Sequence, residues 1–187
     1  GGGRVTTTAD ALSAVLAGLA LEWEAPEGRD EAYRRTAREA RRALDELVAG
    51  ADRVFVEVLV FPDFPAPYVL VVRRAGVWGL PGAWLAGGES LGAAAERVLR
   101  DQAGLAGVGV DSVLAVDQRP DGLFVVCDAG VPEGASDRRR ALTAGLGRFV
   151  GEGTLGRLLP ADAGRRALTA LANTEHMRAV PLDTGPS

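Results

Sequence analysis

A single stretch, WGLPGAWLAGGESLGAAAERVLRDQAGL at residues 78–105, narrows the folds open to this chain more than any other. It reads as a short extended piece, a glycine-rich loop and a helix predicted over 90–103. Leu91, Ala94, Ala95, Val98 and Leu99 recur at helical spacing there and form a side to be buried. Gly87, Gly88 and Gly104 suit tight backbone geometry. Glu89 and Arg97 can hydrogen-bond across the loop and the first turns, and Arg97 can also reach Asp101 four residues on.

Strand patterns flank this unit. RVFVEVLVF (53–61) and YVLVVRR (68–74) are predicted strands, joined by PDFPAP, whose prolines cannot continue a ladder. VDSVLAVDQ (110–118) and LFVVCDA (123–129) bracket a turn at RPDG, and GLGRFV (145–150) supplies a further strand after the polar ASDRRRA. Residues 152–159 and 162–172 read as helices, and MRAVPLD (177–183) as a returning edge strand. The order predicts an α+β fold, a mixed sheet with helices on its faces. Ahead of it, residues 8–24 and 29–49 form two helical patterns with APEGRD between them, a hairpin with one apolar stripe per helix. Residues 1–50 are therefore assigned to an N-terminal extension and 51–187 to the main domain. The hairpin either packs on that domain or forms a homodimer interface.

Composition removes several function classes. A net charge of −4 over 187 residues argues against nucleic acid as a partner held by a broad basic surface. The single Cys127 excludes an intrachain disulfide, and its apolar surroundings point to a buried, inert thiol. The single His176 excludes a His-rich metal site and argues against a Ser-His-Asp triad. The apolar stretch from Ala11 to Leu21 is too short to span a membrane, and the expectation is a cytoplasmic protein. All 21 basic residues are Arg, a bias that fits a GC-rich bacterial genome.

Residues 78–105 resemble the signature of the Nudix superfamily, whose pattern is G, five residues, E, seven residues, then R-E-U-x-E-E-x-G-U with U a bulky aliphatic. Glu89 takes the first Glu, Arg97 the Arg, Leu99 the aliphatic, Gly104 the glycine and Leu105 the closing aliphatic. VLVVRRAGVWGLPG and FVGEGTLGRLLP also resemble the family, and the likeness covers about residues 53–160. It implies a Nudix-like mixed sheet sandwiched by helices. The departures fall together. Val98 stands where the family has a Glu, Asp101 shortens the next, Gln102 replaces the last, and Ala83 replaces the first glycine. In the family those carboxylates bind Mg²⁺ or Mn²⁺, and the cation polarises a diphosphate for attack by water.

Positions 98, 101 and 102 are spaced i, i+3 and i+4 and so share a helix face, where clustered carboxylates repel until a cation relieves them. Asp101 alone supplies one charge, Gln102 a neutral carbonyl and Val98 nothing. The expectation is that no metal binds tightly (Asp101 and Glu89 being the residues to hold one if any did) and that no cofactor is required. Glutamates placed at 98 and 102 are expected to leave the fold intact.

Glu89, Arg97, Asp101, Gln102 and Glu57 are the candidate catalytic residues. Glu57 interrupts an apolar strand, on the same side as Phe55, Leu59 and Phe61, and either faces a pocket or points to water. Asp117 and Asp128, at strand ends, either line a ligand cleft or cap turns; Trp78 and Trp84 either stack on a planar ligand or fill the core. Arg138 to Arg140 either grip phosphate or form a solvated run. Three functions remain. The first is a Nudix-fold protein with a degenerate site that binds a small phosphorylated or nucleotide-like molecule. The others are a Mg- or Mn-dependent hydrolase of nucleoside diphosphate derivatives and a non-enzymatic interaction module.

Overall fold

The computed structural model describes Leu12 and residues 29–61, 68–110, 112–130, 147–175 and 179–182. The predicted helix over 8–24 (Leu12 excepted), the PDFPAP connection, Arg138 to Arg140 and His176 lie outside the described residues. Helix α1 (Arg29–Gly50) leads into strands β1 (Val54–Val60) and β2 (Tyr68–Arg74), then two short strands, β3 (Val77–Gly79) and β4 (Gly82–Trp84). Helix α2 (Leu91–Ala103), strands β5 (Ser112–Arg119), β6 (Gly122–Gly130) and β7 (Gly147–Gly151), helices α3 (Glu152–Leu158) and α4 (Ala161–Glu175), and the two-residue β8 (Val180–Pro181) follow.

The strands form two sheets, ordered β4-β1-β6-β5-β8 and β3-β2-β7. β1 runs antiparallel to β4 and parallel to β6, so the larger sheet is mixed. Every residue of β1 is buried, which explains an apolar run without alternation. Its Val54, Val56, Val58 and Val60 join a core with Ala37, Ala40, Leu44 and Leu47 of α1 and Ala94, Ala95, Val98 and Leu99 of α2. Leu59 faces the other way, into a second core with Val69 and Val71 of β2, Leu155 of α3 and Ala167, Ala170 and Leu171 of α4. Helices thus cover both sides of the mixed sheet, as the resemblance implied. Among the described residues, no helix is long and apolar enough to cross a membrane.

Local chemistry sets the ends of α2. The Ser90 hydroxyl accepts from the Ala93 N–H at 3.1 Å, capping the first turn. Gly104 adopts a left-handed φ of 65°, and Leu105 N–H reaches back to the Leu99 carbonyl at 3.1 Å. At the other flank, Arg41 of α1 donates to the carbonyls of Pro181, at 3.1 Å, and Leu182, which ties α1 to β8. The apolar stripe read in 29–49 is thus buried against the domain, Tyr33 only partly.

Leu44 is fully buried in that shared core. Leu44→Ala is expected to cost about 2–5 kcal/mol, as a core truncation does, while Arg38→Ala on the exposed face stays within about 0.5 kcal/mol. Denaturant unfolding of both variants checks this; a Leu44→Ala cost under about 1 kcal/mol would mean that α1 is not part of the core.

Candidate functional site

The glycine-rich loop closes on α2 through Glu89. Its carboxylate accepts from Arg97 Nε at 2.8 Å, from a terminal nitrogen of the same guanidinium at 2.9 Å, and from the Ala86 N–H at 2.9 Å. The same Arg97 group donates to the Trp84 carbonyl at 3.1 Å. The Arg97 bonds, helped by the Ala86 N–H, hold the Glu89 carboxyl down at about 2, and Arg97 is raised in turn. Both residues are thereby committed to the loop.

The three positions expected to share a face meet three different environments. Val98 is 1% exposed and packs in the core between α2 and the larger sheet. Asp101 is exposed and pairs with Arg100 at 3.2 Å, rather than with Arg97. Gln102 clamps β4: its amide oxygen accepts from the Gly82 N–H at 2.9 Å, and its amide nitrogen donates to the Gly82 carbonyl at 2.7 Å. A neutral amide can do both, whereas an ionised carboxylate has no donor for the carbonyl. The expectation that Glu at position 98 leaves the fold intact is corrected here, because that carboxylate would be buried without a partner, at a cost of several kcal/mol.

Glu57 lies in β1 opposite Gly82, in the interior of the sheet, and is 1% exposed. The reading in which it points to water is therefore overturned. Arg166 of α4 donates to it at 2.6 Å through Nε, and to Asp117 of β5 at 3.1 Å through a terminal nitrogen. Burial pushes the Glu57 carboxyl above its ordinary value while Arg166 pulls it back. Asp117 is thus held in an ion pair rather than in a turn cap.

Cross-strand register places Trp84, Phe55, Phe124 and Asp117 in one row across β4, β1, β6 and β5. Phe55 meets Trp84 edge to face at 5.0 Å and Phe124 at 5.3 Å. Trp78 is on the smaller sheet under Arg148, so the two tryptophans do not form one stacking pair. Asp128 faces Ser112 across β5 and β6. Cys127 is fully buried, and burial pushes its thiol up to about 12, which fits an inert side chain.

A divalent cation on the box helix needs anionic oxygens that are free to ligate. Val98 has none, both ends of the Gln102 amide are engaged, Glu89 is engaged by Arg97, and Asp101 is an exposed carboxylate paired with Arg100. Among the described residues, no three His, Cys, Asp or Glu side chains converge as metal ligands would. The donor set does not fit the metal that the resemblance implies.

Sequence reading missed Arg166 and Arg74. Arg166 had a signal, a charge inside the stripe that also holds Ala163, Ala167, Ala170 and Leu171 on α4. Arg74 ends an apolar strand and gave none. Its guanidinium donates to the Leu80 carbonyl at 3.2 Å, while its buried Nε has no partner.

No family model matches the sequence, and no curated protein does. Solved structures do. A MutT protein from Methanosarcina mazei Go1 is similar at 18% identity, with a TM-score of 0.52 over 65% of this chain and 94% of that one. A structure from a study of MutT from Aliivibrio salmonicida and Vibrio cholerae is 17% identical, with a TM-score of 0.50 over 64% and 95%. A chain of the complex between the C-terminal domain of mouse MUTYH and human PCNA is 13% identical, with a TM-score of 0.52 over 66% and 90%. This chain has the Nudix fold. At such identities the likeness carries architecture, and the chemistry rests on the residues above.

Two outcomes follow from these contacts. The depressed Glu89 carboxyl adds stability above its ordinary value of 4.5 that is lost as pH falls toward about 2. Glu89→Gln should therefore melt lower than the parent at pH 7, with the gap closing between about pH 4.5 and 2; a gap independent of pH would refute the ion-paired carboxylate. Gln102→Glu should lose about 1–3 kcal/mol at neutral pH, because the Gly82 carbonyl loses its donor and faces a carboxylate. Acidification should restore part of that loss as the new acid protonates and donates. Unfolding curves at pH 7 and 4.5 decide it, and an unchanged midpoint at both removes the clamp.

Proposed function

We propose that this chain is a Nudix-fold binding protein for a small phosphorylated or nucleotide-like molecule, and that it does not hydrolyse diphosphates through a metal ion on its box helix. The observation that carries this reading is the Gln102 amide, which engages both backbone groups of Gly82 at 2.9 and 2.7 Å. That clamp fills the helix face with a neutral, closed contact. Three other candidate carboxylates are tied to cations of their own, Glu89 to Arg97 and Glu57 and Asp117 to Arg166. A Lewis acid contributes several kcal/mol to such a reaction, and each ~1.4 kcal/mol is tenfold in rate, so a site without ligands for it falls behind by thousandfold or more. What the chain's own residues offer is recognition: a row of aromatic rings with guanidinium groups over them, at Trp84, Phe55 and Phe124.

Calorimetric titration with Mg²⁺ and Mn²⁺, beside a phosphate-release assay on a panel of nucleoside diphosphate derivatives, tests the reading. No tight metal binding is expected, and no release above the metal-free blank. Tight Mg²⁺ binding with turnover at an ordinary enzymatic rate would make the chain a hydrolase and end this proposal.

A further inference from the structure

We infer that the outer edge of β4 is a self-pairing surface held shut by side chains of α2, and that once freed it takes the β4 edge of a second copy of this chain in antiparallel register. Among the described strands, β4 ends the larger sheet on one side. The Pro81 carbonyl accepts from the Val58 N–H at 2.9 Å, and the Leu85 N–H donates to the Val54 carbonyl at 2.7 Å. The odd-numbered residues of this stretch therefore turn their backbone groups toward β1. Gly82 and Trp84, between them, turn theirs away from it, because the hydrogen-bonding side alternates along an antiparallel strand. Such outward groups at the end of a sheet are a template for another chain unless something covers them.

Helix α2 covers them. The Gln102 amide accepts from the Gly82 N–H at 2.9 Å and donates to the Gly82 carbonyl at 2.7 Å, and Arg97 donates to the Trp84 carbonyl at 3.1 Å. A side-chain amide carries the same donor and acceptor as a peptide unit, so Gln102 supplies what a residue of a neighbouring strand would. The other end of the sheet is closed in the same manner. Pro181 of β8 has no N–H for a further strand, and Arg41 of α1 donates to its carbonyl at 3.1 Å and to that of Leu182. Leu114 is passed over in the β5–β6 register, and its carbonyl accepts from the Asn173 amide of α4 at 2.6 Å. Helices α1, α2 and α4 each place a polar side chain where the sheet has a backbone group to satisfy.

The partner that fits the freed edge is the same edge of another copy. Antiparallel pairing about a two-fold axis through Ala83 sets Gly82 of one copy against Trp84 of the other, so every outward N–H meets an outward carbonyl. The clamp and the second copy compete for the same two backbone groups of Gly82, and Gln102 holds them at no cost in association entropy. A two-fold contact closes on itself, and the far end of the sheet stays sealed by Pro181 and Arg41, so the released edge makes a dimer and not a fibre.

Sedimentation velocity over a range of protein concentrations, beside amide hydrogen exchange, tests this. Gln102→Met keeps the length of the side chain and removes both polar ends. It should self-associate roughly tenfold or more tightly than the parent, stop at the dimer, and show slower exchange at Gly82 and Trp84 as concentration rises. Gln102→Asn keeps an amide too short to span both groups of Gly82; it should tighten association in the same direction, and it carries the test should the Met variant fail to fold. Leu155→Ala opens a cavity in the second core, and it reports what lost stability alone does; it should associate as the parent does. Association of the Gln102 variants no tighter than the parent's, equal tightening by Leu155→Ala, or growth beyond the dimer overturns the inference. So does a parent whose Gly82 amide exchanges as fast as a solvent-exposed one, since the edge would then not be held shut.

Discussion

A carboxylate in the middle of a buried strand and a guanidinium from the last helix form the contact around which this domain is arranged. Glu57 has apolar residues on either side of it in β1, and an ionised carboxylate there without a partner costs several kcal/mol. Arg166 meets it at 2.6 Å, reaches on to Asp117 on another strand, and lies 4.3 Å from the Phe124 ring. Removing one partner of such a pair strands the other, whereas replacing both with well-packed apolar groups is often neutral. What the pair contributes is therefore position more than stability. It fixes α4 against three strands at once, and α4 so placed brings the Asn173 amide to the Leu114 carbonyl at 2.6 Å.

That arrangement explains the box helix beside it. Gly82 lies between Glu57, across the β1–β4 pair, and Gln102 of α2, and a Cβ there would come within 3.1 Å of the Glu57 side chain. A second carboxylate at 102 would bring two anions and a carbonyl oxygen to one glycine, a situation that a cation resolves and a neutral amide avoids. The amide supplies its own donor where a cation would otherwise be needed. The same logic holds at Glu89, whose charge is matched by Arg97 within the loop.

Much of the fold was legible because period and punctuation agree. β1, β2, β5, β6 and β7, α2, α3 and α4 fall where the sequence placed them, and Gly104 closes α2 with the tight left-handed backbone that a glycine suits. Spacing also brought Glu89 to Arg97. Spacing failed where one helix face divides into environments. Residues 98, 101 and 102 lie close in azimuth, yet the sheet covers Val98, leaves Asp101 in solvent and sets the Gly82 backbone against Gln102. Helical periodicity assigns a face; only the neighbouring strand determines what each position touches. Arg166 was hidden for a related reason, since its partner Glu57 is 109 residues away in sequence.

The departures from the family pattern reinforce one another. With Val98 in the core, a carboxylate there would be buried unpaired. With Gln102 clamping Gly82, a carboxylate there would leave the carbonyl without a donor. Each single step back toward an acidic helix thus costs stability before any cation can be held, and holding a cation needs more than one such step. A scaffold in this state keeps the loop, the glycines and the Glu89–Arg97 pair because they shape the backbone, and retains its electrostatic resources in arginines spread over aromatic rings. Packing on one side of the helix and a hydrogen-bonded amide on the other thus each oppose a carboxylate at the position they occupy.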